Sequence, residues 1–408
     1  MINREYIEQL YQELPEDSRV FLDKSIEKIV EAKRRGGKVV VATGSGPNIH
    51  EGVTTLIAEL IDKGIIDGVT SSSAVMAHEL AGVLDKVKRC DADQFGDLLD
   101  KEKMPRGNIF EFTEMSDEQI AELKKEMILD DELLSRRHDA EGKTIIKAAG
   151  NMAYPMGLRT EVLAHEIMDI ARTYNVPFEE IAGLAADPKT MLGAGARKHV
   201  PVLVSIPQLV GGGAVGMCIG DSIPISQRCA RIAEMMGSAD VIIESAVALT
   251  QEIHDGPFET YTGHGIWAMW TGYNTYSLKG KTLVRFDLDD NLKKAWDMDK
   301  KGGSIQAAID QGLPKTKMSK IPFRMEMSAF SRLETSLPVI GDIGVLWPIM
   351  ALKVCDALGI ELDYISYPQQ SEDGKAMREY IVENIQPIDR NRLLELSKNY
   401  KFVGSNMV

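Results

Sequence analysis

The sequence has little positive charge for its size and few cysteines. Its 47 lysine and arginine residues face 61 aspartate and glutamate residues, a formal net charge of −14. A strongly acidic surface repels phosphate backbones and anionic lipids, so nucleic acid and membrane surfaces are excluded as principal partners. The four cysteines, Cys90, Cys218, Cys229 and Cys355, have no C-x-x-C spacing. The sequence therefore predicts free thiols, no disulfide framework and no metal centre.

We expect neither a secretory leader nor a membrane span. The first residues, 1–5, have no apolar core of the kind that a signal peptide needs, so we expect a cytoplasmic protein. The uncharged run from Val200 to Gly220 is long enough to cross a bilayer, but Pro201, Pro207 and a glycine triplet interrupt it. These residues favour a strand followed by a turn.

Apolar strands alternate with helical patterns along the 408 residues. This rhythm predicts an α/β fold with a doubly wound, mostly parallel sheet and helical additions. We expect N-terminal helices at 1–35, an α/β domain at 36–365 and a helical tail at 366–408. The polar segment at about 91–143 is predicted to be a helical excursion from the sheet, as a lid or an oligomer contact.

Three predicted strand ends carry clusters of glycine or hydroxyl residues. Their members are Thr43, Gly44, Ser45 and Gly46; Ser71, Ser72 and Ser73; and Gly211, Gly212 and Gly213. In parallel α/β sheets, ligands bind at the carboxyl ends of strands, and backbone N–H groups at a glycine turn attract phosphate. The first turn lacks the third glycine of the dinucleotide fingerprint and a Walker lysine, so a plain tight turn stays open. Helix capping stays open for the serines.

Acidic residues and histidines supply further candidates. Asp287 and Asp342 each follow an apolar strand, where a carboxylate can accept hydrogen bonds from ribose hydroxyls. His254 and His264 lie beside glycines in a segment rich in aromatics. This setting favours either an imidazole placed in a cleft or aromatic packing under a long loop.

The helix predicted after the serine cluster carries His78 and Glu79. These two residues are candidates for ligand contact, and a solvent-facing helical pair is the alternative. Cys218 lies beside the glycine cluster. Since no histidine is adjacent to it in sequence, we expect a buried, unreactive thiol rather than a nucleophile.

Several of these segments together resemble a known family. The stretch "TGSGPNIHEGVTTLIAELIDKGIIDGVTSSSAVMAHELAGVL" looks like the first half of deoxyhypusine synthase, with Glu79 at an acidic position, and "RGNIFEF", "VPFEEIAGLA", "ARKHVPVLVSIPQLVGGGAVG" and "GDIGVLWPIMA" follow in that family's order. The second half is similar to the NAD-binding region of archaeal-type ornithine cyclodeaminases, with Asp287 and Asp342 in matching places. The resemblance implies the deoxyhypusine-synthase-like NAD-binding fold, with NAD at the strand-end loops.

Two departures set this sequence apart from the synthase. The glycine triplet has no preceding aspartate, because Val210 stands there, and the segment around Trp267 has no lysine. Transfer through an imine needs such an amine, so aminobutyl transfer from a polyamine is not expected.

The combined interpretation is an NAD-dependent enzyme that acts on a small polar substrate, an amine or amino acid, as a homo-oligomer (dimer or tetramer). We expect the three strand-end clusters to bind NAD, with Glu79 as a catalytic candidate at the nicotinamide end. Asp287 and Asp342 would hold the second ribose or the adenine, and His264 or His254 would be the acid/base. Two alternatives stay open: amine transfer or cyclising deamination with recycled NAD, for which Lys320 is the candidate imine carrier, and a non-catalytic nucleotide- or metabolite-binding protein.

Overall fold

The computed structural model describes residues 2–103, 108–149, 153–246, 276, 278–288, 290–302, 307, 311–312 and 335–399. Within these residues, six strands form a parallel sheet and three form an antiparallel one. In chain order the strands are β1 (Val39–Ala42), β2 (Gly68–Ser71), β3 (Leu84–Asp91), β4 (Ile109–Thr113), β5 (Gly142–Ala148), β6 (Val202–Val204), β7 (Val241–Ser245), β8 (Thr282–Asp287) and β9 (Ser336–Ile340).

The parallel sheet has the strand order β6-β2-β1-β7-β8-β9. The chain starts in the middle of the sheet and builds outwards through β2 and β6. It then returns to the middle at β7 and builds outwards on the other side through β8 and β9. This is the doubly wound α/β arrangement, so the predicted fold class is confirmed.

Helices cover both faces of this sheet, and two more lie between β4 and β5 in the chain. They are α1 (Arg4–Glu13), α2 (Glu16–Arg34), α3 (Ser45–His50), α4 (Val53–Asp62), α5 (Ser73–Leu80), α6 (Asp117–Glu126), α7 (Asp131–Asp139), α8 (Met156–Tyr174), α9 (Phe178–Ala185), α10 (Met191–Lys198), α11 (Ala214–Ser222), α12 (Ile225–Gly237), α13 (Asn291–Gly302), α14 (Ile343–Leu358), α15 (Glu372–Asn384) and α16 (Arg390–Asn399). Three short 3-10 turns lie at Ala92–Leu98, Lys101–Lys103 and Ile206–Gly212.

The central strand β1 shows why its sequence is apolar throughout. Val39 and Val41 belong to the core that includes α2, α4 and α14, while Val40 and Ala42 pack in the core with α12 and Trp296 of α13. All four side chains are fully buried. A strand covered on both faces cannot alternate with polar residues, and its continuous apolar run is typical of parallel sheets.

The segment predicted to be a helical excursion at about 91–143 contains strands as well as helices. Strands β4-β3-β5 pair antiparallel, and Leu133 of α7 packs with Cys90 of β3 and Phe112 of β4. In β3 the buried residues Leu84, Val87 and Cys90 are three apart, a spacing that imitates a helix. The preceding helix ends at Leu80, and Gly82 follows with a φ of 99°, a left-handed conformation that favours glycine.

The uncharged run at 200–220 is divided among β6, a 3-10 turn and α11. A glycine loop is predicted for Gly211–Gly220, but residues from Ala214 onwards are helical. Position 216 in this helix requires glycine, because a Cβ there would lie 1.8 Å from the carbonyl oxygen of Leu209. Glycine therefore permits the helix to pack closely against the preceding turn. Among the helices of the described residues, none has the length and apolarity needed to cross a bilayer.

A buried ion pair fixes the carboxyl end of β6. Arg228 on α12 and Glu179 on α9 are 2.5 Å apart, with side chains 0% and 1% exposed. The same carboxylate accepts the N–H of Val204, and the guanidinium donates to the carbonyl oxygens of Val204 and Ile219. The pair therefore joins two helices to the strand from which the glycine segment departs.

Removing one partner of this pair should be costly. We expect Arg228→Met to lower the free energy of unfolding by about 3–5 kcal/mol, because it leaves a buried carboxylate without its cation. Urea denaturation measures the change. The exposed pair Arg4–Asp356, 58% and 47% exposed, is the matched control, and Arg4→Met should cost less than about 1 kcal/mol. Equal costs for the two variants would contradict this account.

Candidate functional site

At the ends of four adjacent strands lie side chains with buried oxygen atoms that have no hydrogen-bond partner in the described structure. The side chains are Ser205 after β6, Ser71 at the end of β2, Thr43 after β1 and Glu244 near the end of β7. Each is at most 1% exposed. A buried polar atom without a partner costs free energy, and such atoms concentrate where a ligand or an ion completes the hydrogen bonding. They lie at the carboxyl edge of the sheet, on both sides of the β1–β7 boundary.

The predicted phosphate turn follows β1. The N–H of Thr43 donates to the carbonyl oxygen of Thr70 at 2.9 Å, which continues the ladder to β2. Gly44 is extended, with a φ of −163°, so its conformation does not require glycine. At Gly46 an added Cβ would meet no heavy atom within 4 Å. The helix that follows, α3, has six residues, so its dipole is small and the backbone amides of the turn are the main attraction for an anion.

A hydrogen-bond network connects this turn to the end of β7. The Ser245 hydroxyl donates to Oδ1 of Asn48 at 2.6 Å, and Nε1 of Trp347 donates to the Ser245 oxygen at 2.8 Å. The amide nitrogen of Asn48 donates to the carbonyl oxygen of Gly44. The network connects the turn, β7 and α14 across the β1–β7 boundary, where the order in which strands are added to the sheet reverses.

The serine and glycine clusters lie together, and much of their polarity is used within the protein. Ser72 caps α5 by accepting the N–H of Val75 at 3.2 Å. The Ser73 hydroxyl donates to the carbonyl oxygen of Gln208 and accepts the N–H of Gly212, both at 2.8 Å. A Cβ at Gly212 would lie 2.7 Å from the Ser73 backbone, so this glycine permits the contact. Capping and close packing thus account for part of both clusters.

Glu79 is buried rather than solvent-facing. Its two carboxylate oxygens accept the N–H groups of Met191 and Leu192 at 2.8 and 3.0 Å, at the start of α10. Burial raises the pKa of Glu79 to about 7, although the two N–H donors favour the ionised form. These contacts make it a helix cap within the described structure, and a catalytic role for Glu79 stays a prediction.

The acids of the other half of the sheet are also engaged. Asp287 is 3.1 Å from the guanidinium of Arg285, which lies 3.7 Å from Glu244 on the neighbouring strand. Asp342 accepts the N–H of Gly344 at 2.8 Å and caps α14. Asp287 ends β8, next to β7, whereas Asp342 follows β9 at the edge of the sheet. Asp342 lies near Glu51, which follows α3, and this negative charge helps to raise the pKa of Glu51, for which burial is the main cause.

The predicted acid/base residues His254 and His264 lie outside the described residues, as does Lys320. Of the two described histidines near the strand ends, His50 on α3 and His78 on α5, the second is the more deeply buried. It is 7% exposed, and its Nδ1 is in contact with the carbonyl oxygen of Ala149. Burial, with Lys147 and His50 nearby, lowers the pKa of His78 to about 4.

A cavity of about 440 Å³ lies between β4 of the antiparallel sheet and helices α5 and α8. Phe110 and Tyr154 line it from one side and His78 from the other, and the remaining lining residues are Ala74, Ala77, Ala153, Gly157, Leu158, Thr160, Glu161, Gly211, Gly212, Gly213 and Val215. The volume is typical of a site for a small molecule, and the predicted glycine cluster forms part of its wall.

Cys218 has a histidine neighbour that the sequence does not reveal. Nδ1 of His165 on α8 is 3.6 Å from the Cys218 sulfur. Burial raises the pKa of Cys218, and Asp221, Asp169 and Glu161 raise it further. The thiol therefore stays protonated at neutral pH, in keeping with the expected unreactive cysteine.

Sequence reasoning missed three features of this region. Ser205 carries the same strand-end signal as the serines after β2 and could have been found by it. Glu161, which lines the cavity, is one of many acids on helices, and no local pattern distinguishes it. The contact between Asn48 and Ser245 joins residues 197 positions apart, which a single sequence cannot pair.

No family model and no curated protein matches this sequence. Distant likeness to solved structures exists. The apo structure of ArgZ, an arginine dihydrolase from the ornithine–ammonia cycle in cyanobacteria, has 12% identity and a TM-score of 0.36, over 83% of this chain and 31% of that one. The ternary complex of AgrE with ornithine and NAD+ has 11% identity and a TM-score of 0.39, over 85% and 34%.

A conserved putative LOR/SDH protein from Methanococcus maripaludis S2 has 10% identity and a TM-score of 0.37, over 85% of this chain and 70% of that one. The chain thus spans about a third of the length of ArgZ and AgrE. Similarity at this level assigns neither activity nor ligand. Deoxyhypusine synthase is not among these three structures, so that resemblance remains one of sequence segments.

The capping role of Glu79 can be tested by an isosteric change. Glu79→Gln keeps the shape but turns one acceptor into an amide N–H group that faces a backbone N–H. We expect a loss of about 1–3 kcal/mol in the free energy of unfolding, because a buried donor is left without an acceptor. Chemical denaturation measures it, and unchanged stability would leave Glu79 without this structural role.

Burial raises the pKa of Glu244 to about 7, although Arg285 opposes the shift. A carboxyl group whose folded pKa is raised contributes stability at low pH that is lost as the pH rises through the folded pKa. Since glutamine does not titrate, Glu244→Gln should gain stability relative to the wild type between about pH 5 and pH 8. Denaturation at both pH values measures this, and a constant difference would contradict it.

Proposed function

We propose that this protein is an NAD-dependent enzyme that acts on a small polar substrate, an amine or amino acid. The dinucleotide would lie at the carboxyl edge of the parallel sheet, across the boundary between β1 and β7. In doubly wound folds this is the place where loops from the two halves of the sheet diverge and leave a crevice for a ligand.

One observation supports this location most strongly. Buried oxygens without hydrogen-bond partners in the described structure occur at the ends of β6, β2, β1 and β7, and those of Thr43 and Glu244 lie on either side of the boundary. A dinucleotide carries ribose hydroxyls, an amide and a pyrophosphate, which are able to supply the missing donors and acceptors. These groups match the chemistry of such a cofactor, and its binding would have to open the edge of the sheet, because the four side chains are at most 1% exposed here.

Each part of the site would bind a different part of the cofactor. The backbone amides of the 43–46 turn would hold the pyrophosphate, and the open space beside Gly46 lets phosphate oxygens approach the backbone. The hydroxyls of Thr43 and Ser71 would contact a ribose. Asp287 and Asp342 remain candidates for the second ribose or the adenine. When bound, the dinucleotide supplies hydride transfer, and the protein supplies orientation and a proton acceptor.

The proposal can be tested at Gly46. Gly46→Ala adds a methyl group to open space in the free protein, so its melting temperature should not fall. The same methyl group would block the approach of a pyrophosphate, and we expect the stabilisation by NAD or NADP to drop sharply. Thermal shift measures both quantities, since a ligand that binds only the folded state raises the midpoint.

Gly220→Ala is the matched control. Gly220 is a helical glycine of α11 where an added Cβ would have an ordinary contact of 3.9 Å with Leu209, away from the β1 turn. Its variant should bind dinucleotides like the wild type. The proposal would be overturned if neither NAD nor NADP raised the wild-type melting temperature at millimolar concentration. Equal dinucleotide binding by Gly46→Ala and the wild type would also overturn it.

A further inference from the structure

Few polar side chains line the cavity between β4 and helices α5 and α8. Two of them already have a protein partner: the Thr160 hydroxyl donates to the carbonyl oxygen of Met156, and the Tyr154 hydroxyl accepts the N–H of Asp130 while its own proton can still be donated. The carboxylate of Glu161 and the imidazole of His78 remain. Of the described lining residues, Glu161 alone carries a formal charge.

The hydrogen bond to Ala149 fixes what the imidazole of His78 can do. A carbonyl oxygen only accepts, so Nδ1 must carry the proton and donate it to Ala149. In a neutral ring Nε2 then has a free lone pair and acts as an acceptor. The lowered pKa of His78 keeps the ring neutral at physiological pH. The ring is more than nine-tenths buried and is part of the cavity wall, so the acceptor has a fixed position.

The two polar groups lie in different surroundings. Glu161 is exposed and lies on α8. Lys147 on β5 and His50 on α3 are the basic groups that face His78 from the other side. A cavity whose one formal charge is the Glu161 carboxylate, with the His78 imidazole as a second acceptor, favours a ligand that is positively charged and rich in donors.

We infer that this cavity is the substrate site, that Glu161 selects ammonium-bearing molecules over anionic ones, and that Nε2 of His78 accepts a hydrogen bond from the same molecule. Its role as a substrate site rests on the proposed function, whereas ligand binding to the cavity does not. Glu161 is the specificity-determining residue and His78 orients the ligand. The inserted antiparallel sheet, through Phe110 and Tyr154, closes one side of the site.

The test uses the full chain and four probes of similar length: 1,4-diaminobutane, 4-aminobutan-1-ol, 1,4-butanediol and succinate. Isothermal titration calorimetry should show binding of the two amines, weaker binding of the diol and none of succinate. Glu161→Gln should weaken amine binding about tenfold or more, because a charge-assisted hydrogen bond is lost. Binding of the diol should not change.

Asp169→Asn is the matched control. Asp169 is exposed and lies two turns further along α8, and its substitution removes the same negative charge as Glu161→Gln. It should bind amines like the wild type. His78→Asn keeps a donor for the Ala149 carbonyl and loses the acceptor at Nε2, so it should weaken the binding of both amines. Because Glu161 is exposed, the Glu161 variant decides the question even if the His78 variant does not fold.

Equal loss in Glu161→Gln and Asp169→Asn would overturn the inference, because general surface attraction would then explain the binding. Failure of both amines to bind the wild type, or equal binding of amines and diol, would also overturn it. The same protein is titrated with NAD and NADP. Dinucleotide binding without amine binding removes this inference and leaves the proposed function, while the reverse result removes the proposed function and leaves the cation site.

Discussion

The pairing of β1 with β7 is the constraint on which the rest of the structure depends. These two strands run parallel, four residues on each side, and every other strand of the main sheet is added outwards from them. Because the connections from the two strands leave in opposite directions, the loops at their carboxyl ends cannot close over each other. The Asn48, Ser245 and Trp347 network holds the two ends together beneath that gap.

Much of the fold could be predicted from local sequence. The apolar runs of β1 and β7 and the helix at Val53–Asp62 have patterns that only buried strands and amphipathic helices satisfy. The antiparallel sheet could not be predicted, because buried residues three apart in β3 imitate a helix and the pairing partners, β4 and β5, are distant in sequence. Likewise, the glycines of α11 suggested a loop, whereas they permit close helix packing.

The candidate site was predictable in outline and not in detail. Strand-end serines and glycines do lie at one edge of the sheet, as the rule for parallel sheets requires. Their partners were not predictable, because the bond of Ser73 to Gly212 and the cap that Glu79 forms on α10 join residues more than a hundred positions apart. Some polar residues that look like ligand groups in the sequence thus form hydrogen bonds within the protein that stabilise the edge of the sheet. What remains for a ligand is the set of oxygens without partners and the cavity beside His78.

A crystal structure determined with NAD would show whether a dinucleotide binds across the β1–β7 boundary. Binding there predicts the pyrophosphate against the backbone of residues 43–46, with the nicotinamide directed towards the cavity that His78 and Glu161 line. A dinucleotide bound elsewhere on the protein, or pyrophosphate contacts that do not involve this turn, would contradict it.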